Sequence, residues 1–253
     1  MNGKPLMIDG FCGLGGASEG FLAEGWECVG LDNELHDYGY GRYPGHLILC
    51  DILQVHGSQF KDADFLWFSP PCQEYSYMAM PWSRAKKIRA EYLSGVRDVK
   101  KLTALFDACF RIQREAIEAA GHFIPLVVEN VRGAQKWVGR SRWNFGSFHL
   151  WGDVPALMPM TKAAVKTPGR SMSRDAEKKW GTHNMGSADK IHAELAEAVK
   201  IGGDWFDDRT PGCHAMCGSK SKARKAASAT IAKIPFALAS HIARVYKPME
   251  CAA

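Results

Sequence analysis

The sequence lacks the features of a membrane or secreted protein. No apolar run is long enough to cross a bilayer, and no basic leader followed by an apolar stretch stands at the N-terminus. The eight cysteines lack the spacing of a secreted disulfide framework, because several lie within apolar strand or helix patterns. We therefore expect a cytoplasmic protein with reduced thiols and no membrane partner.

Internal repeats and low-complexity tracts are also missing, and a formal net charge of +5 is small for 253 residues. The hydrophobic content of 46% and the charged content of 23% are ordinary for a globular protein. The length allows one α/β domain with a small appendage. The distribution of charge is therefore more informative than its total.

The first part of the chain has a strand, turn and helix pattern. A short strand at residues 6–8 ends at Asp9, a glycine-rich turn occupies residues 10–20, and a helix pattern begins near Phe21. This order is typical of the first unit of a nucleotide-binding α/β fold. Ser18 stands where a true G-x-G-x-x-G would have its third glycine, so a generic tight turn stays an alternative.

Three further strand patterns end in polar groups. The strand at 28–31 ends at Asp32, the strand at 47–50 ends at Asp51, and the strand at 125–128 ends at Glu129. The carboxyl ends of parallel strands share one rim, where such folds bind ligands and where a carboxylate could donate a proton. Asp32 and Asp51, taken singly, are equally consistent with helix caps or solvated surface groups.

The residues Ser-Pro-Pro-Cys-Gln at 69–73 follow the apolar strand pattern of residues 65–68. Proline removes a backbone donor and fixes φ, so the strand must stop abruptly. Cys72 is thereby placed just past a strand end, where a thiol is a candidate nucleophile. A small buried hydrophobe is the alternative, since many cysteines serve only in packing.

The remaining patterns are less specific. An irregular basic segment carries Arg84, Lys86, Lys87 and Arg89 and is either a solvated face or a loop that meets phosphates. An amphipathic helix follows near 102–112, and residues 145–150 are predicted to form a sixth strand. The group Cys213, His214 and Cys217 has irregular spacing and no second cysteine pair, so we expect no metal site.

Together these pieces resemble the DNA (cytosine-5) methyltransferases. Residues 9–20 look like the family's first motif, which wraps S-adenosylmethionine, residues 69–73 look like its nucleophile motif, and residues 129–131 look like its acid motif. The resemblance covers roughly residues 5–150, and the compact length is similar to phage-borne or orphan members. It implies an S-adenosylmethionine-dependent methyltransferase fold of the α/β class, with a Rossmann-like sheet covered by helices on both faces. A small target-recognition module would be appended.

The resemblance also implies roles for particular residues. Cys72 would add to carbon 6 of a flipped cytosine, Glu129 would donate to ring nitrogen 3, Asn130 would place Glu129, and Arg140 and Arg142 would hold the base. The cofactor, which leaves as S-adenosylhomocysteine, would contact Phe11, Cys12, Gly13, Leu14, Gly15, Gly16, Asp32, Asn33, Asp51, Ile52 and Pro70. DNA would contact Gln73, Ser76, Arg84, Lys86, Lys87 and Lys222.

The sequence departs from the family pattern in three ways, one of which is that the motif that normally scaffolds the recognition module is not recognisable. Val138 stands where a glutamine precedes the arginine pair, and residues 232–235 lack the asparagine that normally completes the cofactor site. The predicted units are a catalytic domain at 1–152, a recognition module at 153–225 and a C-terminal helix at 226–253. We expect a monomer in a bacterial or phage-infected cell, acting on double-stranded DNA, with or without a restriction endonuclease partner. One alternative is an enzyme that methylates cytosine in tRNA. The other is a DNA-binding protein that binds the cofactor but has weak catalytic activity.

Overall fold

The structure, a computed structural model, describes residues 3–37, 42–73, 75, 82–158, 225, 229–230 and 232–248. Most of the predicted recognition module, together with Ser76, Lys222 and the Cys213, His214 and Cys217 group, lies outside these residues. Within the described part of the chain, no helix is both long enough and apolar enough to span a bilayer.

Seven strands form one sheet. In chain order they are β1 Leu6–Gly10, β2 Glu27–Asp32, β3 His46–Leu49, β4 Phe65–Phe68, β5 Leu126–Asn130, β6 Trp143–Phe145 and β7 Phe148–Gly152. Their order across the sheet is β3-β2-β1-β4-β5-β7-β6. Strands β1 to β5 are parallel, whereas β7 runs antiparallel to both β5 and β6.

The described helices are α1 Gly16–Ala23, α2 Trp82–Leu93, α3 Val99–Ala120, α4 Gln135–Val138 and α5 Phe236–Tyr246. Short 3₁₀ turns occupy Gly57–Phe60 and Arg132–Ala134. The longest helix, α3, begins after Asp98, whose side chain accepts a hydrogen bond from the Lys100 amide. It ends at Gly121, which has the left-handed conformation that favours glycine at a helix end.

The alternation of side chains along β4 builds two cores. Phe65 and Trp67 point to one face of the sheet and pack with residues of α1 and α5. Leu66 and Phe68 point to the other face and pack with residues of α3. All four side chains are fully buried, which explains why this strand is apolar throughout rather than alternating with polar residues. The predicted α/β sheet with helices on both faces is confirmed.

Helices α1 and α5 approach each other closely because α1 carries glycine on the shared face. A Cβ added at Gly20 would lie 2.4 Å from the Ala239 Cβ and 2.6 Å from the Ser240 nitrogen. Gly16 lies in the same way against the backbone of Ile234. The C-terminal helix is thus packed directly behind the glycine-rich turn.

Two sequence-based expectations about local structure were wrong. The basic segment is regular, since residues 82–93 form α2, with Ala85 and Tyr92 buried and Ile88 half-buried on its inner face. The many charged residues on its outer face had suggested an irregular, solvated segment, because they outnumber the apolar residues on the inner face. Residues 145–150 are not one strand, because Gly146, at φ 57°, turns the chain and pairs β6 with β7 as a hairpin.

Candidate functional site

The strand order reverses at β1, which has β2 on one side and β4 on the other. In open α/β sheets such a reversal leaves a crevice beyond the carboxyl ends of the strands, where ligands bind. The glycine-rich turn leaves β1 at this point, and the Ser69–Gln73 segment leaves β4 beside it. The two predicted motifs are therefore adjacent in the folded chain.

The Cys72 loop is fixed at both ends. The Ser69 amide donates to the Gly10 carbonyl at 3.0 Å, which extends the pairing of β4 with β1 by one residue. Beyond Cys72, the Tyr75 amide donates to the Cys72 carbonyl at 3.0 Å, and the buried Tyr75 hydroxyl donates to the Leu102 carbonyl of α3 at 2.7 Å. Tyr75 was not predicted from the sequence, although it lies only three residues beyond the thiol.

Glu129 and Asn130 are the last two residues of β5 and are 4% and 1% exposed. The Asn130 side-chain amide donates to the Pro70 carbonyl at 2.9 Å, and its oxygen accepts from the Val131 amide at 2.8 Å. This contact is the direct link between the acid motif and the thiol motif. Pro70 is consequently a partner of Asn130 as well as a predicted cofactor contact.

The described thiols differ in their surroundings. Cys72 is half-buried, whereas Cys12, Cys28 and Cys109 are buried. Burial, together with the nearby carboxylates of Asp9 and Asp32, raises the pKa of Cys12 far above its ordinary value. Burial also raises the pKa of Cys28 to about 12. Burial raises the pKa of Cys109 as well, and a raised pKa makes a thiol a weaker nucleophile at neutral pH because the thiolate is disfavoured.

The glycine-rich turn has an unusual backbone. Phe11, at φ 59°, is a non-glycine residue in the left-handed region, and Gly13 and Gly15 follow at φ 52° and 75°. A Cβ at Gly13 would meet no atom within 4 Å, so this part of the turn borders open space. Leu14 and Gly16 are buried, and Gly16 packs against the C-terminal segment.

Asp32 holds this turn in place. Its Oδ2 accepts from the Gly13 amide at 2.9 Å, and its Oδ1 accepts from the amides of Asn33 and Glu34 at 2.8 and 3.2 Å. His36 Nε2 lies 3.4 Å from the same Oδ2. Burial alone would raise the pKa of Asp32, but the hydrogen bonds from His36 and Gly13 outweigh it and hold the pKa below the usual range.

The other predicted cofactor residues follow β2 and β3. Asp51 is exposed and accepts from the Leu53 amide at 3.0 Å. Ile52 is only 3% exposed and belongs to the core on the α3 side. Asn33 is exposed at the end of β2.

A buried polar network lies beneath the turn and was not predicted. The Ser18 hydroxyl donates to Asp9 Oδ2 at 2.6 Å and lies 2.7 Å from the Tyr43 hydroxyl. Burial raises the pKa of Asp9 to about 7, although the Ser18 hydrogen bonds lower it in part. Ser18 was noted only as the interruption of a glycine pattern, and that departure was the available signal.

The predicted DNA contacts that can be described are solvent-facing. Arg84, Lys86 and Lys87 lie on the exposed side of α2, and Gln73 is exposed in the Cys72 loop. Arg140 and Arg142 are both exposed on the segment that precedes β6. Among the described residues, no group of three or more His, Cys, Asp or Glu side chains could hold a metal ion.

Residues 6–93 match the family model described as C-5 cytosine-specific DNA methylase. This match confirms the resemblance to DNA (cytosine-5) methyltransferases. No curated protein matches the chain.

Three solved methyltransferase structures are similar to part of this chain, with low sequence identity and low TM-scores. A DNA modification methyltransferase encoded within a prophage of E. coli is 20% identical over 54% of this chain, with a TM-score of 0.35. The S. pombe Dnmt2 methyltransferase is 14% identical over 53%, with a TM-score of 0.31. The Entamoeba histolytica methyltransferase EhMeth is 15% identical over 55%, with a TM-score of 0.32. The alignments cover 35%, 36% and 41% of those proteins, which are accordingly longer than the part matched.

Proposed function

We propose that this chain, with its resemblance to C-5 cytosine-specific DNA methylases, transfers a methyl group from S-adenosylmethionine to carbon 5 of cytosine in double-stranded DNA. The observation that carries this proposal is the hydrogen bond from the Asn130 side chain to the Pro70 carbonyl. It joins the ends of β4 and β5 beside the strand-order reversal, which supports a site where the partly exposed Cys72 thiol and the buried Glu129 carboxylate act on the same ring. That pairing suits addition of a nucleophile to a ring that must also be protonated.

The turn after β1 fits S-adenosylmethionine, whose sulfonium group supplies the methyl that carbon 5 accepts. The open space beside Gly13 leaves room for a ligand against the backbone. Asp32 would accept from the ribose hydroxyls, replacing its most distant partner, His36, while its bond to Gly13 keeps the turn in shape. Asp51 and Ile52 would border the adenine.

Cys72 would add as a thiolate to carbon 6, which raises the electron density at carbon 5. Glu129 would donate its proton to ring nitrogen 3 and so limit the negative charge that the addition places on the ring. Arg140 and Arg142 would bind the base and its developing charge. After methylation, water would take the carbon 5 proton, the Cys72 thiolate would leave carbon 6, and the proton on ring nitrogen 3 would return to Glu129, which restores the aromatic ring.

The target carbon is inaccessible inside a duplex, so the base must leave the stack, at a cost of a few kcal/mol. The exposed cationic face of α2 supports contact with the phosphate backbone, because Arg84, Lys86 and Lys87 all lie on its outer side. The same charges would make binding weaken as the salt concentration rises.

The proposed function is tested with a DNA duplex that carries 5-fluorocytosine, incubated with S-adenosylmethionine and resolved by denaturing electrophoresis. Fluorine cannot leave as a cation, so the enzyme should remain covalently attached to the duplex. Wild type should form the adduct, whereas Cys72→Ser should not. An adduct of equal yield in both would remove Cys72 as the nucleophile.

Glu129→Gln separates proton donation from binding. We expect slow methyl transfer with cofactor affinity within about twofold of wild type, because Gln keeps the shape of the side chain but cannot donate a carboxylic proton. Equal losses in transfer and in cofactor affinity would contradict the proton-donor role.

Activity on an RNA duplex or tRNA, with none on DNA, would assign the chemistry to RNA instead.

A further inference from the structure

The segment at residues 139–142, which carries both arginines, is fastened to β7. Its first residue, Gly139, accepts from the Trp151 indole nitrogen at 3.0 Å. Its last residue, Arg142, donates its amide to the Leu150 carbonyl at 2.8 Å. Between these two anchors, Ser141 is the residue that turns inward, whereas Arg140 and Arg142 on either side are exposed.

Gln135, on α4, holds Ser141 from the other side. Its Oε1 accepts from the Ser141 amide at 3.2 Å and from the Ser141 hydroxyl at 3.1 Å. Helix α4 follows β5 after only a short 3₁₀ turn, so Gln135 is connected to the strand that ends in Glu129 and Asn130. Val138, where the family pattern predicts glutamine, instead packs against the core on the α3 side.

The third member of the cluster is His149 on β7. Its Nδ1 lies 2.9 Å from the Ser141 Oγ, and its ring is 9% exposed beside Trp151. A serine hydroxyl has one hydrogen, and Ser141 directs it to Gln135. The hydrogen between Ser141 and His149 must therefore come from the imidazole, which requires a hydrogen on Nδ1.

His149 also lies next to β5, the strand that ends in Glu129 and Asn130. In the antiparallel pairing of β5 and β7, His149 lies opposite Asn130, and Leu150 lies opposite Glu129. The cluster of Gln135, Ser141 and His149 thus connects the arginine segment to the two elements that carry or flank the acid motif.

We propose that Gln135, acting through Ser141 and His149, is a positioning residue that sets the direction in which Arg140 and Arg142 project toward the target base. This inference rests on the proposed function. Gln135 lies three residues before Val138, and its side chain supplies the hydrogen-bond acceptor for Ser141 that a valine side chain lacks. Because a single oxygen receives both Ser141 donors, loss of that oxygen removes both hydrogen bonds between Ser141 and Gln135.

The test compares Gln135→Met, which keeps the size of the side chain and removes the acceptor, with Gln135→Glu, which keeps an acceptor oxygen. We expect Gln135→Met to lower kcat/KM about tenfold with cofactor affinity unchanged, and Gln135→Glu to stay within about threefold of wild type. Gln59→Met, an exposed glutamine far from the cluster in sequence, is the matched control and should match wild type.

The tautomer of His149 gives a readout that does not depend on activity. In wild type, the ¹⁵N chemical shifts of the imidazole should show hydrogen on Nδ1. In Gln135→Met the Ser141 hydroxyl loses its acceptor and can donate to His149, so hydrogen should move to Nε2. An unchanged tautomer together with unchanged kcat/KM would overturn the proposal.

A comparison of combined variants tests whether Gln135 acts through the two arginines. In a background that carries both Arg140→Ala and Arg142→Ala, Gln135→Met should lower the residual kcat/KM less than twofold, because the two side chains that it positions are already gone. Full additivity would overturn the positioning role. An inactive wild type would overturn the proposed function and this role with it, whereas an active wild type indifferent to Gln135→Met would overturn this role alone.

Discussion

At the scale of single residues, Asn130 has the most direct structural effect on the site. One side chain satisfies two backbone groups, the Pro70 carbonyl on one strand end and the Val131 amide on its own. The contact with Pro70 is buried and the contact with Val131 is partly buried, so water has little access to the first of them. The thiol loop is therefore held by the same residue that follows the acid.

Replacing Asn130 with leucine should damage catalysis more than it damages cofactor binding. Leucine has a similar size but leaves two backbone groups without partners, at a cost of about 1–3 kcal/mol each when they stay buried. We expect kcat to fall by at least about tenfold, with cofactor affinity within about threefold of wild type. Single-turnover methylation and calorimetric titration measure the two quantities.

Asn144→Leu is the matched control for that experiment. Asn144 is exposed, and its side-chain amide donates to the nearby Gly146 carbonyl. If Asn144→Leu and Asn130→Leu reduced kcat equally, the link between Asn130 and Pro70 would have no special role.

Asp9 should make the free energy of unfolding depend on pH. Its pKa is about 7 in the folded protein against an ordinary value of 3.8, so the folded state holds a proton that the unfolded state releases. The stability associated with this proton is complete below about pH 4 and is lost as the pH rises to about 7. The total effect is on the order of 4 kcal/mol.

Asp9→Asn should remove that dependence. The amide cannot ionise, and its oxygen can still accept from the Ser18 hydroxyl. Urea unfolding at pH 5 and pH 7.5 should show wild type losing stability relative to Asp9→Asn as the pH rises. A constant difference between the two proteins would mean that Asp9 is already ionised in the folded state at pH 5.

At the scale of elements, the contact of α1 with α5 decides where the glycine-rich turn lies. Gly16 and Gly20, one helical turn apart, allow the C-terminal segment to lie directly on α1. Lys233 pairs with Glu19 at 2.6 Å across the same contact. The two glycines therefore have a packing role, which is distinct from the open backbone at Gly13.

Gly20→Ala should destabilise the protein, although alanine favours helices. Helix propensity alone would stabilise the variant by about 1 kcal/mol, but the new methyl group would clash with Ala239 and Ser240. Overpacking of this kind costs about 1–3 kcal/mol, so the thermal midpoint should fall. Gly3→Ala, where a Cβ would meet no atom within 4 Å, should leave it unchanged. A rise for Gly20→Ala would mean that the helices can separate without cost.

At the scale of the whole molecule, Asp153 joins distant parts of the fold just after β7. Its Oδ2 accepts from the Leu126 amide at 3.0 Å and from the Gln113 side chain of α3 at 2.8 Å. Its backbone carbonyl accepts from the Tyr246 hydroxyl of α5. Helix α3, strand β5 and the sequence-distant helix α5 therefore meet at this residue.

Asp153→Ala should reduce the stability of the whole described domain by about 1–3 kcal/mol, because two partly buried donors lose their acceptor. Asp153→Asn keeps an oxygen at the same place and should lose much less. Denaturant unfolding followed by tryptophan fluorescence measures both. Equal losses for the two variants would show that the negative charge matters, rather than the hydrogen-bond acceptor.

Much of the local structure follows from the sequence alone. Neighbouring residues suffice to predict the all-apolar strand at 65–68, the prolines that end it and the glycine-rich turn after β1. The structure contains each of these features. Two local predictions were wrong. The charged residues of α2 suggested an irregular segment although its inner side is apolar, and Gly146 divides the single predicted strand into β6 and β7. The boundary of the recognition module near residue 153 stays a prediction.

The sequence by itself determined which chemical groups follow which strands, because backbone preferences and side-chain alternation act over a few residues. Only the tertiary structure decided which of those groups meet. Asn130 and Pro70 are 60 residues apart, and His149, which contacts Ser141, lies opposite Asn130 because β7 pairs with β5. Such contacts depend on strand order and register, which are fixed by the packing of both sheet faces at once rather than by any short stretch of chain.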